Sequence, residues 1–453
     1  MRHALHLPAL LLLTATALAA GAADLEESPS RLSDEAVPVR AELDPGRTPP
    51  LIEWGDHHLG PGALPAGIEL PTGAVWQPAL FVYGSYRTAI QAYDNGNRHL
   101  SEWVHRLDLT ANLRLTGTER LVASLRPLDR EGRFTGHYFH PDGDDGWHEE
   151  LDGELEAFYF EGMFDELFPN LDRDDRRAHD VGFTLGRQPL FFQEGMLIND
   201  TIDAVGLVKS SIPLPGTANT RISLVHGWNQ LHRNDNREDD GARITGLFTE
   251  FDLPYGTIDL DLAYVDSERA AGDGWFAGVS SVQRIGGFNT ALRLLGSRAT
   301  TDGAAVSSGT LLFGELSWTP KGTVDVAYLN AFVGVDEFSS AARAPGTGGA
   351  LGRAGILFAS PGMGRYGAAL SNRPDNAWGG AVGYQRFIGG VRRQLVVEAG
   401  TRQGEGDDDA WALGARLQQA LGKRLLVQLD AFAGDHDRNG EGWGLRGELQ
   451  VKF

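Results

Sequence analysis

The last eleven residues of this chain, Trp443 to Phe453, alternate apolar and polar side chains without interruption and stop on a phenylalanine. Trp443, Leu445, Leu449, Val451 and Phe453 fall on one face with Gly447, while Arg446, Glu448, Gln450 and Lys452 fall on the other. Alternation at period two is the signature of a β-strand with one apolar and one polar side. At the opposite end, Arg2 precedes an apolar stretch from Leu5 to Ala19 and the small residues Ala20-Gly21-Ala22, the layout of a secretory signal peptide. That stretch is too short for a spanning helix, which needs about 20 apolar residues, and nothing later supplies one. If the chain resides in a membrane, it crosses with strands.

A strand of this kind, ending at an aromatic C-terminus, resembles the closing strand of a bacterial outer-membrane β-barrel. Composition agrees with one continuous all-β unit. There are 453 residues, 59 glycines and no cysteine, which excludes disulfide scaffolding, c-type haem attachment and thiolate metal sites. Loss of Arg2 with the signal peptide takes the formal charge from −21 to −22, making nucleic acid and anionic lipid poor partners. The expected organisation is a signal peptide at 1–22, a periplasmic extension at 23–77 and a barrel at 78–453. The extension is acidic at first and then rich in Pro and Gly. It is read as partly disordered, with recruitment of a partner or filling of the lumen as the functional alternative.

After residue 78 come short alternating segments separated by turn residues, the weak per-segment signal of a transmembrane barrel. The clearest is Arg106 to Leu115, where five apolar residues interleave with Arg106, Asp108, Thr110, Asn112 and Arg114. The spacing predicts eighteen antiparallel strands: 79–93, 103–116, 120–128, 154–163, 181–191, 202–212, 219–228, 242–253, 257–266, 275–284, 288–299, 308–319, 323–335, 377–387, 392–402, 409–420, 424–434 and 443–453. With the N-terminus in the periplasm, every second connection should be tight, and Gly117-Thr118-Glu119, Pro254-Tyr255-Gly256, Gly286-Gly287 and Leu421-Gly422-Lys423 are. The alternate connections are longer and polar, and the stretch Phe164 to Asp180 is a long exception on the inner side. Trp103, Trp275, Trp378, Trp411 and Trp443 fall at the outer ends of inward-running strands, as an aromatic girdle requires. The longest connection, Asp336 to Asn376, either folds into the lumen or lies on the surface.

Apolar outer faces put the charged faces inside, because charge is tolerated only away from lipid. The expected lumen set is Arg106, Asp108, Arg114, Arg126, Glu250, Asp252, Asp259, Asp261, Arg293, Glu315, Asp325, Glu398, Arg402, Arg416, Asp430, Arg446 and Glu448. Mixed signs favour small hydrophilic solutes through a transverse field, and pairing across neighbouring strands is the structural alternative for each residue.

The sharpest local motif is Gly186-Arg187-Gln188, followed by Gly195 and by Ile202-Asp203-Ala204-Val205. The arginine sits where a strand leaves the membrane for a short surface loop, with Asp200 and Asp203 able to hold it. Over Gly186 to Val205 this spacing resembles the alginate-export family of outer-membrane proteins, which are eighteen-stranded barrels. The resemblance implies that Arg187, beside Gln188, is a lumen arginine in contact with an anionic sugar polymer.

Asp142, Asp144 and Asp145 in a loop with Glu149, Glu150 and Asp152 offer hard oxygen ligands for calcium. His137, His140 and His148 raise a weaker transition-metal alternative, and a solvated acidic loop is the simplest account. With Glu238-Asp239-Asp240 and Asp407-Asp408-Asp409 the loop would form an acidic outer rim where divalent cations bridge lipopolysaccharide phosphates. No cofactor motif is found. His226 or His436 with a nearby serine is the nearest approach to a hydrolase, but no serine lies in a Gly-x-Ser-x-Gly context.

The leading expectation is therefore an outer-membrane channel, not an enzyme, that passes a hydrophilic solute or a polysaccharide. Its partners would be outer-membrane lipid, lipopolysaccharide and the assembly machinery that reads Phe453. A scaffolding barrel that docks a periplasmic partner and an outer-membrane hydrolase are the alternatives.

Overall fold

The computed structural model describes residues 48–57, 66–96, 99–140, 145–171, 179–267, 271–301, 305–406 and 408–453. The expected signal peptide, the first part of the extension, Asp142 and Asp144 lie outside the described residues. Apart from Ala66, the described residues belong to one compact unit.

Eighteen antiparallel strands form the wall. They are β1 (Ala79–Asp94), β2 (His99–Arg114), β3 in two pieces (Arg120–Leu125 and Gly136–His140), β4 in two pieces (Gly146–His148 and Leu155–Met163), β5 (Val181–Phe192) and β6 (Ile198–Lys209). There follow β7 (Asn219–Asn229), β8 (Arg243–Leu253), β9 (Gly256–Asp266), β10 (Gly274–Ile285), β11 (Phe288–Ala299) and β12 (Gly309–Trp318). The series ends with β13 (Val326–Asp336), β14 (Ala377–Phe387), β15 (Arg393–Gly404), β16 (Ala410–Leu421), β17 (Leu425–His436) and β18 (Gly440–Lys452). β18 returns to β1, from Trp443 opposite Asp94 to Lys452 opposite Ser85, and Phe453 exchanges both backbone hydrogen bonds with Gly84. The pairing of β18 with β1 joins the two ends of the sheet, and closure of this kind is what allows strands to cross lipid.

The two faces of the wall are chemically distinct. Along β18, Trp443, Leu445 and Leu449 are exposed on the outside, whereas Arg446 and Glu448 are buried within. The five expected girdle tryptophans are all exposed on the outer face. The period-two pattern read from sequence is thus the imprint of apolar surroundings on one side and a polar, packed interior on the other.

Three connections depart from the simple scheme by turning inward. First, β3 is interrupted by a hairpin, Asp129–Arg130 paired with Arg133–Phe134. Phe134 packs with the inward-facing Ala89 and Val104 and with Met363 of the long loop. The expected strand 120–128 and the expected surface loop after it are corrected accordingly.

Second, the β5–β6 hairpin leaves the wall. Below Arg187, β5 pairs with β4, but the ladder ends at Phe158 opposite Arg187. Likewise β6 pairs with β7 only as far as Asp203 opposite Asn229. Beyond that level the hairpin bends in. Phe192 stacks on the inward-facing Phe248 of β8 at 3.4 Å, and Gln193 donates to Asp261 of β9 at 2.7 Å. Met196, Leu197 and Ile198 are fully buried. The short surface loop expected here is inside the lumen because its apolar residues gain about 1.5–3 kcal/mol each by burial.

Third, the connection from Asp336 to Asn376 folds inward. Its two-residue strand Ala342–Arg343 runs parallel to Ile198–Asn199 of the inturned hairpin and does not join the wall, so the even strand count holds. Leu351, Leu357, Phe358 and Leu370 are buried against wall residues Ile244, Phe276, Phe313 and Phe332. The main apolar core of this molecule therefore lies inside the barrel.

Part of the expected extension is ordered. Ile52–Trp54 pairs with Val82–Leu80 of β1, along the edge that β18 vacates when it ends at Phe453. Gly55 makes this approach possible: its φ is +86°, and an added Cβ would lie 2.3 Å from the Pro78 carbonyl oxygen.

Candidate functional site

The interior of the barrel is a wall of paired charges crossed by the inturned loop. Each arginine of the expected lumen set has a carboxylate partner. Arg106 and Arg126 share Asp108 at 2.9 and 3.1 Å, and Arg126 also reaches Asp129 at 3.2 Å. Arg114 binds Asp56 of the N-terminal segment at 2.5 Å. Arg402 meets Asp408 at 2.6 Å, and Arg293 pairs with Glu315. Arg416 and Arg446 converge on Asp430, and Arg446 also contacts Glu448, which in turn holds Arg87 at 2.6 Å. Across β7–β10, Arg221 pairs with Glu250 at 2.7 Å and Asp259 accepts from Ser280 at 2.6 Å.

This pairing follows from register. Arg416 stands directly opposite Asp430, and Asp430 directly opposite Arg446, so facing side chains of opposite sign lie about 5 Å apart at Cβ. Removed from bulk water, such pairs hold their geometry more strongly than surface pairs do.

The loop is fastened to this wall by charge-assisted hydrogen bonds. Glu398 accepts the backbone N–H groups of Ile356 and Leu357 at 3.0 and 2.9 Å and the Tyr328 hydroxyl. Glu102 accepts the Arg365 N–H at 2.7 Å, and Arg106 donates to the Gly362 carbonyl at 3.0 Å. Arg402 donates to the Arg373 carbonyl at 2.5 Å. Several residues expected to face a solute are thus spent on holding the loop.

At its other end the loop is locked to two neighbours. Arg343, 1% exposed, donates to the Gly195, Gly348 and Thr347 carbonyls. Its own N–H donates to the carbonyl of His232, in the β7–β8 connection. The His232 ring lies 2.9 Å from Asp200, which also accepts the His232 N–H at 2.7 Å. Burial pushes the His232 imidazole down. The hydrogen bond to Asp200 and the charges of Asp200, Glu238 and Glu156 outweigh it, and the net shift is upward.

The glycine-arginine-glutamine motif has a different setting from the one expected. Arg187 is directly opposite Asp203 and also opposite Phe158, whose ring is exposed on the outer face. It therefore stands in the outer-face row, bound to Asp203 at 3.0 Å and to the Leu155 carbonyl at 3.1 Å. Asp200 is taken by His232. Gln188 is buried and donates to the Ala204 carbonyl at 3.0 Å. Together they mark the level at which the hairpin leaves the wall, where Arg187 lines a cavity with Arg126, Asp129, Asp200 and His232.

Among the described residues there is no group of three or more side chains able to hold a metal ion. His148 stacks on Tyr138, and Asp239 of the expected acidic rim is buried with Arg233 at 3.2 Å. His226 lies on the outer face beside Thr245 at 2.9 Å. The inturned hairpin tip was the site feature hardest to foresee, yet it carried a signal: Met196-Leu197-Ile198 is too apolar for a surface loop.

No protein-family model matches the chain, and no curated protein sequence matches it. Solved structures do. A BenF-like porin from Pseudomonas fluorescens Pf-5 superposes with a TM-score of 0.56 at 11% identity, over 83% of this chain and 98% of that one. Pseudomonas aeruginosa OccK2 (OpdF), crystallised in complex with glucuronate, gives 0.54 at 12% identity over 83% and 98%. Pseudomonas aeruginosa OccK1 (OpdK) gives 0.52 at 14% identity over 82% and 98%. These similarities show the fold, an outer-membrane porin barrel of eighteen strands. The alginate-export family is not among these matches. A closed barrel with a lipid-facing apolar exterior belongs to the bacterial outer membrane.

Proposed function

We propose that this chain is a substrate-selective outer-membrane channel for small hydrophilic solutes, without energy coupling of its own. The observation that carries the reading is the long loop, folded into the lumen, bound to the wall through Glu398 of β15 and Glu102 of β2 and to the inturned β5–β6 tip through Arg343. A loop so anchored narrows the passage and sets which solutes fit, while the mixed-sign wall supplies polar contacts. The fold neighbours are porins, and one was crystallised with a small sugar acid. A small solute suits this interior better than an anionic polymer does, since the wall arginines, Arg187 among them, are engaged by carboxylates. As a channel the chain needs no catalytic group.

Reconstitution in a planar bilayer tests the proposal: discrete, ion-selective conductance steps are expected, and a protein that inserts without conducting overturns it. Export to the outer membrane would use Phe453 as the terminal aromatic read during assembly. Removing Phe453 should lower the amount of folded protein in that membrane, and an unchanged amount would exclude this role.

A further inference from the structure

Below the inturned loop, the lumen face of β14–β17 carries a chain of glutamines. Gln394, Gln418 and Gln428 stand directly opposite one another on consecutive strands, and Gln385 joins them diagonally from β14. Gln385 donates to Gln394, Gln394 to Gln418, and Gln418 to Gln428 at 2.6 Å. Gln428 then donates to Asp430 at 2.7 Å. Asp430, held by Arg416 and Arg446, is a carboxylate and can only accept. It therefore fixes the direction of every bond behind it.

Gln394, Gln418 and Gln428 each use one N–H and one carbonyl lone pair in the chain and keep one of each, while Gln385, at its head, uses one N–H alone. Chains aligned in this way polarise their members and strengthen the outer groups as donors and acceptors. The four side chains are half-buried, and the strand spacing sets the free groups about 4.8 Å apart.

We propose that this glutamine track is a binding surface for neutral polyhydroxylated solutes, sugars or polyols. A hydroxyl both donates and accepts, so it satisfies the free N–H and the free lone pair of an amide together. An anion uses only the N–H, and an ammonium only the lone pair. The proposal rests on the channel reading and names the solute class for it.

The test measures how D-glucose reduces the single-channel potassium current, with triethylene glycol dimethyl ether, of nearly equal mass and without hydroxyls, as the control. Glucose should halve the current at a lower concentration than the ether. In Gln394→Leu/Gln418→Leu the half-blocking concentration for glucose should rise about three- to tenfold, as for the loss of one or two hydrogen bonds, and reach that of the ether. Gln418→Asn, which keeps an amide, should recover part of the effect. If the double variant does not fold, Gln394→Ala alone carries the comparison. Equal block by both solutes in the unmodified protein, or an unchanged glucose response in the folded variant, overturns the proposal. Absence of any current in the unmodified protein would instead sink the channel reading.

Discussion

The guanidinium of Arg343 donates to the Gly195 carbonyl at 2.7 Å, and through that bond two separately inturned elements, the long loop and the β5–β6 tip, become one body. No carboxylate is among its hydrogen-bond partners. The guanidinium is instead surrounded by carbonyls and the Ser340 hydroxyl.

Arg343→Ala should leave the barrel closed but free the loop, because the buried Gly195 carbonyl loses its donor at about 1–3 kcal/mol and the half-buried Gly348 and Thr347 carbonyls lose weaker bonds. The expected result is a larger, noisier conductance and new protease sensitivity between residues 344 and 350. Wild-type current and resistance to cleavage would count against the locking role.

Glu398→Ala removes the acceptor of the Ile356 and Leu357 N–H groups and of the Tyr328 hydroxyl. Amide hydrogen exchange at Ile356 and Leu357 should accelerate by about two orders of magnitude, in line with losing charge-assisted bonds. Exchange at Leu351, bonded instead to the Asn372 carbonyl, should change far less.

His232 makes the loop contacts pH-sensitive. Its folded pKa is raised above the ordinary value of 6.5, so the ion pair with Asp200 contributes fully below that value and is lost as pH rises through the folded one. Loop-dependent current noise should therefore increase on going from pH 6 toward alkaline pH. His232→Gln should abolish the pH dependence; a noise profile that persists in this variant would assign it to another group.

Arg293 and Arg187 separate lumen from wall. Arg293→Ala leaves Glu315 unpaired on the inner face and should shift the reversal potential toward cations. Arg187→Ala should shift ion selectivity less than Arg293→Ala does and lower thermal stability, because Asp203 loses its ion-pair partner where the hairpin leaves the wall. A selectivity shift in Arg187→Ala as large as that of Arg293→Ala would give Arg187 a part in the permeation path.

The strands were legible because lipid imposes alternation on every residue that faces it. β11 and β14 were delimited to the residue, and no strand end moved by more than a few residues outside the breaks in β3 and β4. What sequence could not show is where a polar side chain finds its partner. Arg106, Glu398 and Arg402 were placed on the inner face, but that they hold a loop depends on contacts between residues far apart in sequence. The glutamine track was invisible for the same reason: each glutamine is unremarked alone, and only strand register aligns them. The inturned hairpin at 129–134 was missed because a short polar turn reads alike whether it meets water or a lumen, and at 193–195 the turn is equally polar, its inward course marked by the apolar Met196-Leu197-Ile198 that follows.

The ion pair between Arg87 and Glu448 joins β1 to β18 across 361 residues of chain. Contacts of such separation incur their full loop-closure entropy before they form. The seam is therefore expected to form last, so that weakening it with Glu448→Ala should slow maturation of the barrel, which a folding time course would measure. Ile52–Trp54 pairs with β1 on the same edge just past Phe453, so its removal is expected to shorten the lifetime of the finished barrel.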